Sequence, residues 1–204
     1  MARFLSSSRA LFQHIPRTGG TWVEQAIDYL GIHRSRWICK QPRRLPRKHA
    51  LLRHYYPNEA AKVNYVFTFV RHPVSYYESN WRWLNGFRKN KRSIQRIANP
   101  KRSGQQWDWH PQRIPAKHFH PDFNVWMQRI LDNEPAWCTR LFEWYCGPEG
   151  GEYCNYIGRQ ESLVHDFIEV IASYLNYDLT DEQIAGLHEL NEKNSSCLFL
   201  VLRC

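Results

Sequence analysis

Several features are scarce in this 204-residue chain, and each scarcity excludes a class of protein. No segment approaches the roughly 18 consecutive apolar residues of a membrane-spanning helix. The N-terminal stretch MARFLSSSRALFQHI has positive charge but no apolar run of signal-peptide length, so the chain as given reads as cytoplasmic. A luminal, Golgi-type location is expected only if it is a piece of a longer membrane-anchored protein. The six cysteines, at 39, 138, 146, 154, 197 and 204, form no C-x-x-C pair, which argues against a structural zinc site. Reduced, partly buried thiols are the expectation, although Cys138, Cys146 and Cys154 are near enough in sequence to pair in an oxidising compartment. A Walker A loop, G-x-x-x-x-G-K-[ST], is absent. No internal repeat is visible. Negative charge is the minority: 19 Asp and Glu face 28 Lys and Arg, leaving a formal net charge of +9.

The composition fits one folded domain spanning 1–204, since 43% hydrophobic and 23% charged residues suffice for a core under a soluble surface. Aromatics reach 15%, with nine Trp, and flat side chains in that number line clefts as well as cores. The positive balance calls for an anionic partner: nucleic acid, acidic polysaccharide, membrane surface or a multiply charged nucleotide. Much of the positive charge lies between Arg82 and Lys117.

Along the chain, a short apolar run from Ala10 to Ile15 leads into Pro-Arg-Thr-Gly-Gly-Thr. Trp22, Ala26, Ile27 and Leu30 then recur at helical spacing before Gly31. The pattern predicts strand, glycine-bearing turn, helix. Val63 to Val70 predicts a buried central strand ending at Arg71, and Pro73 opens a helix through Trp83. From Asn85 to Pro121 periodicity fails, which reads as a long, basic, Trp-rich surface insertion. Asp122 to Leu131 and Ala136 to Tyr145 predict short helices, and Asn155 to Gly158 a last strand. Glu161 to Leu175 predicts an amphipathic helix with Leu163, Val164, Phe167, Val170, Ile171 and Tyr174 on one face. Thr180 and Gln183 form a capping box for a final helix to about Leu190. Alternating strands and helices imply an α/β fold with a mostly parallel sheet, whose ligands bind beyond the carboxyl ends of the strands.

Both the Pro16–Thr21 turn and Arg71 fall at such ends. A Gly- and Thr-rich turn between strand and helix exposes consecutive backbone N–H groups at the positive end of the helix dipole, which suits an anion. Gly19 and Gly20 permit close approach, Thr18 and Thr21 offer hydroxyls, and Arg17 adds a permanent charge with a planar fork of donors.

The segment FQHIPRTGGTWVEQAI resembles the 5′-phosphosulfate loop of carbohydrate-type sulfotransferases, whose usual form is HIPKTGGT. The resemblance implies a P-loop-like three-layer fold and 3′-phosphoadenosine 5′-phosphosulfate (PAPS) as sulfuryl donor, with no metal. Pro16, Arg17, Thr18, Gly19, Gly20, Thr21 and Trp22 would form the donor loop. FTFVRHPVSYYES is similar to the family's 3′-phosphate motif, in which a Ser stands eight residues after the strand-end Arg. That assigns Arg71 and Ser79 to the 3′-phosphate, with Ser75 ranked second. YIGRQESLVHDF resembles the family's F-I-G-R-x-E-x-L segment. Arg159 and Glu161 read there as structural, with approach of Arg159 to the nucleotide as the alternative. The likeness covers roughly residues 10–80 and 155–195.

Sulfuryl transfer needs an in-line acceptor oxygen, a base for its proton and positive charge on the departing phosphate. Arg17 stands at the family's lysine position and delivers charge, but it cannot act as an acid. The resemblance points to His49, in RKHALLRHYY, as the base, with His54 in reserve and Glu24 if the base is a carboxylate. His14, at the strand end, reads as a packing residue. NEKNSS resembles the polar segment near which the family closes over the nucleotide, and Lys193 would add charge there. The expected partner is an acceptor hydroxyl on a carbohydrate, anionic sugars included. Two alternatives stand beside this reading: a P-loop-type nucleotide kinase, and a non-catalytic binder of acidic glycan or nucleic acid using the Arg82–Lys117 region.

Overall fold

A computed structural model describes residues 3–5, 8–35, 62–86, 91–98, 113–149 and 151–200. Its order is β1 (Arg3–Leu5), β2 (Ala10–Phe12), α1 (Gly20–Tyr29), β3 (Arg34–Ser35), β4 (Tyr65–Val70), α2 (Pro73–Gly86) and α3 (Lys91–Ala98). These are followed by α4 (Arg113–Lys117), α5 (Phe123–Asn133), α6 (Trp137–Cys146), β5 (Tyr156–Arg159), α7 (Leu163–Glu169) and α8 (Asp181–Leu200).

The fold is α/β. One sheet runs β3-β1-β2-β4-β5. One part of it, β2, β4 and β5, is parallel, with Leu11 beside Val66 and Phe69 beside Gly158. The other half departs from the mostly parallel expectation: β1 is antiparallel to both β2 and β3. Both added strands are short, two or three residues each, and neither left a periodic signature in the sequence.

Because side chains alternate along a strand, the sheet serves two cores. Leu11 and Val66 join one cluster with Tyr76, Leu84, Trp126, Ile130 and Tyr145 from α2, α5 and α6. Ala10, Phe12, Phe67 and Phe69 join the other, with Val23, Ile27, Phe167 and Leu187 from α1, α7 and α8. Tyr76, Trp126 and Tyr145 are fully buried, and rings of that size dominate the energetics of a core. Trp22, Trp126 and Trp137 belong to these cores, so much of the described tryptophan is spent on packing.

The insertion expected over 85–121 is in part regular structure. The helix expected to end at Trp83 runs to Gly86, and 91–98 and 113–117 are helical. Ala98 and Ala116 are buried, with Ile94, Ile97 and Ile114 packed beside them. Short amphipathic helices separated by polar chain mask the periodicity. The two short helices expected near 122–145 are α5 and α6, and Asp122 caps α5 by accepting from the N–H groups of Asn124 at 2.8 Å and Val125 at 3.1 Å.

The amphipathic stretch after β5 is not one uniform helix. A 3₁₀ turn (Gln160–Ser162) precedes α7, and Val170–Tyr174 widens into a π-helical turn in which Leu175 N–H donates to Val170 O at 3.1 Å. Tyr174 is thereby 46% exposed, although its ring stacks on Tyr65 and leans on Tyr156. The capping box of α8 forms as expected: Thr180 N–H donates to Gln183 Oε1 at 3.0 Å and Gln183 N–H to Thr180 Oγ1 at 3.2 Å. The helix extends beyond Leu190, to Leu200.

Candidate functional site

The carboxyl ends of β2, β4 and β5 face one region. From them issue the Gln13–Gly19 turn, Arg71 and the Gln160–Ser162 turn. Buried polar contacts fix the first of these. Gln13 N–H donates to Phe67 O at 2.9 Å, and the Thr68 hydroxyl donates to Gln13 O at 2.7 Å. Gln13 Nε2 reaches Tyr145 O at 2.7 Å. The turn therefore starts from a strand end bonded to both its neighbour strand and α6.

Within the turn, the Thr18 hydroxyl donates to Ile15 O at 2.9 Å and is 1% exposed. It braces the turn, and its hydroxyl proton is not offered to a ligand as the sequence suggested. Gly19 has φ +85°, and a Cβ there would lie 2.5 Å from Leu163 Cδ2. Gly20 lies against the His14 ring, which a Cβ there would overlap. His14 is buried, stacked on Phe12 at 5.8 Å, with Nδ1 3.6 Å from Glu24 Oε1. The His14 ring thus packs under the turn, as a strand-end residue was expected to. Trp22 is likewise structural: 3% exposed, it packs edge-on against Phe167, so only its backbone belongs to the loop. The N-terminus of α1 carries no side-chain cap and no acidic residue in its first turn, so no carboxylate of that turn offsets the positive end of its dipole.

Arg17 stands in the left-handed region at φ +68°, an uncommon conformation for a residue with a Cβ. Its Nε–H donates to Ser79 Oγ at 3.1 Å, while its backbone carbonyl accepts from Arg71 Nη1 at 3.3 Å. Arg71 Nε–H in turn donates to Ser75 Oγ at 3.1 Å. Two half-buried guanidiniums are thus held on one face of α2, and among the described residues neither has an ion-pair partner. Burial first, and then the charge of Arg71, pulls the Arg17 pKa below its ordinary value. Burial lowers that of Arg71 too, opposed by Glu161 and Glu78. Arginine stays a cation near neutral pH, so each is a half-buried positive charge that an anion would suit.

The two serines are not equivalent. Ser75 shares its hydroxyl proton between His72 O at 3.0 Å and Glu161 Oε1 at 3.2 Å. Ser79, 8% exposed, accepts from Arg17 and has no acceptor for its own proton among the described residues. Only Ser79 keeps a hydroxyl donor in hand.

Glu161, expected to be structural, bridges the two motifs: its Oε1 also accepts the His72 N–H at 3.0 Å, ahead of α2. Arg159 is exposed, and its N–H donates to Asp166 Oδ2 at 2.7 Å. His49 and His54 lie outside the described residues, as does the Lys193 side chain. His165, Asp166 and Glu169 offer ligand-type atoms within 4.8 Å of one another, but Asp166 Oδ2 holds Arg159 and Glu169 Oε2 holds the Tyr156 hydroxyl. Among the described residues no helix is long and apolar enough to cross a membrane. Cys138, Cys146 and Cys154 are free and buried.

Set against protein-family models, curated proteins and solved structures, the chain matches none of them.

Proposed function

We propose that this chain is a PAPS-dependent sulfotransferase with a P-loop-like three-layer fold, acting on a hydroxyl acceptor of carbohydrate type. One observation supports this most directly: Arg17 and Arg71, from turns after two parallel strands, are anchored side by side on α2 next to the uncapped N-terminus of α1. A donor carrying phosphate at both 3′ and 5′ positions presents two anionic groups for two such cations. Arg71 with the Ser79 hydroxyl would take the 3′-phosphate, and the Pro16–Trp22 backbone with Arg17 the 5′-phosphosulfate.

In the transfer, the acceptor oxygen attacks sulfur in line and the bond between sulfur and the bridging phosphate oxygen breaks. Negative charge grows on the leaving phosphate, where Arg17 and the α1 dipole stabilise it. The acceptor proton passes to a base, for which His49 is assigned by resemblance alone. The leaving phosphate of the nucleotide departs as a dianion, so Arg17 need donate no proton.

Isothermal titration against adenosine 3′,5′-bisphosphate and ATP tests the reading. The bisphosphate should bind at least tenfold more tightly, and Arg71→Ala should erase the difference. Equal affinity for the two nucleotides in the unaltered protein would overturn it. Transfer from labelled PAPS to a panel of neutral and anionic sugars then identifies the acceptor, with Arg17→Ala and His49→Ala alongside.

A further inference from the structure

We infer that Glu161 is a positioning residue for Arg71, acting through Ser75, and so sets the affinity for the 3′-phosphate while leaving the 5′ half of the site untouched. This inference rests on the assignment of Arg71 to that phosphate.

The chain of contacts is continuous. Glu161 Oε1 accepts the His72 N–H at 3.0 Å and lies 3.2 Å from Ser75 Oγ. Ser75 Oγ, its proton directed to Glu161 and His72 O, presents a lone pair to Arg71 Nε–H at 3.1 Å. A hydroxyl whose proton is drawn away by a carboxylate is the better acceptor, and hydrogen bonds polarise one another along such a chain. Arg71 is then fixed at two points, Nε on Ser75 and Nη1 on Arg17 O, which leaves the Nη2 edge of its fork for a ligand. Glu161 makes no direct ion pair with Arg71; its charge acts on the guanidinium from a distance, and its contact with it runs through Ser75. Its carboxylate instead occupies the backbone donor in front of α2. The YIGRQES segment thereby acquires a role, in which a residue after the third parallel strand orients the arginine of the second.

Two measurements on Glu161→Ala and Glu161→Gln test the inference, the glutamine keeping an acceptor oxygen without the charge. Titration should show roughly tenfold weaker binding of adenosine 3′,5′-bisphosphate in Glu161→Ala, unchanged binding of adenosine 5′-phosphosulfate, and substantial rescue in Glu161→Gln. Equal weakening of both nucleotides would mean a merely structural role and overturn it, as would no effect on either. The second measurement needs no nucleotide: side-chain ¹⁵N spectra should show the Arg71 Nε–H losing exchange protection in Glu161→Ala, with the Arg17 Nε–H unaffected. Retained protection at Arg71 would also overturn the inference. If the unaltered protein itself fails to prefer the 3′-phosphorylated nucleotide, the sulfotransferase reading fails, and the spectra still decide the role of Glu161.

Discussion

Ser75 and Ser79 stand one helical turn apart on α2, and each accepts the Nε–H of a different arginine at the same distance, 3.1 Å. Their spare capacity differs, because Ser75 has committed its proton to His72 and Glu161 and Ser79 has not. Ser79→Ala is therefore expected to weaken adenosine 3′,5′-bisphosphate about tenfold and to weaken adenosine 5′-phosphosulfate as well, since Arg17 loses its anchor. Ser75→Ala should weaken only the former. Titrations of both variants with both nucleotides check the asymmetry.

Arg17 combines a charge at the site with an unfavourable backbone conformation, φ +68°. Glycine adopts this region freely, whereas alanine bears the Cβ penalty. Arg17→Gly should be more stable than Arg17→Ala by about 1 kcal/mol in urea unfolding. Neither should retain affinity for the 5′-phosphosulfate. Arg17→Lys should keep the charge and lose the planar link to Ser79, giving activity between the two extremes in a labelled-PAPS assay.

Gly20 and His14 form a close-packed pair, with no room for a Cβ beside the imidazole. Gly20→Ala is expected to cost about 1–3 kcal/mol in stability. In a His14→Ala background the same change should cost much less, and denaturant melts of the four proteins measure that coupling.

Asp166 links the end of β5 to α7. Burial alone would raise its pKa, but the Arg159 N–H at 2.7 Å and the adjoining His165 outweigh that, and the carboxyl lies below its ordinary range. A depressed folded-state pKa gives stability that is fully present above the unfolded value and lost as pH falls through the folded one. Asp166→Asn should therefore lower stability at pH 7 and flatten the decline below about pH 4. Thermal melts from pH 2 to 7 would show it; parallel profiles for the two proteins would refute it.

Much of the site was legible because its chemistry is local. The strand–turn–helix around Arg17, the strand ending at Arg71 and the capping box at Thr180 each declare themselves within a dozen residues. Long-range assignments were harder. That the Thr18 hydroxyl faces Ile15 and the Trp22 ring faces Phe167 follows from which way a turn closes, and residue type is silent on that. The relay from Glu161 to Arg71 joins residues 90 positions apart, visible only once β4 and β5 lie side by side. The edge strands β1 and β3 are too short to show alternation, and the helices of 91–98 and 113–117 were hidden among polar chain.

The π-helical turn at Val170–Tyr174 holds one residue more than the α-helical turn it replaces. One residue deleted within it lets the ladder close from i to i−4 as ordinary α-helix. The contacts such a deletion must keep lie at its end: the Tyr174 ring on Tyr65 and Tyr156, and the Tyr177 hydroxyl, which donates to Leu30 O at 2.9 Å. A single-residue deletion within 170–174 should therefore cost less stability in thermal melts than one within Leu163–Glu169, where the α-helical phase itself would shift by about 100°.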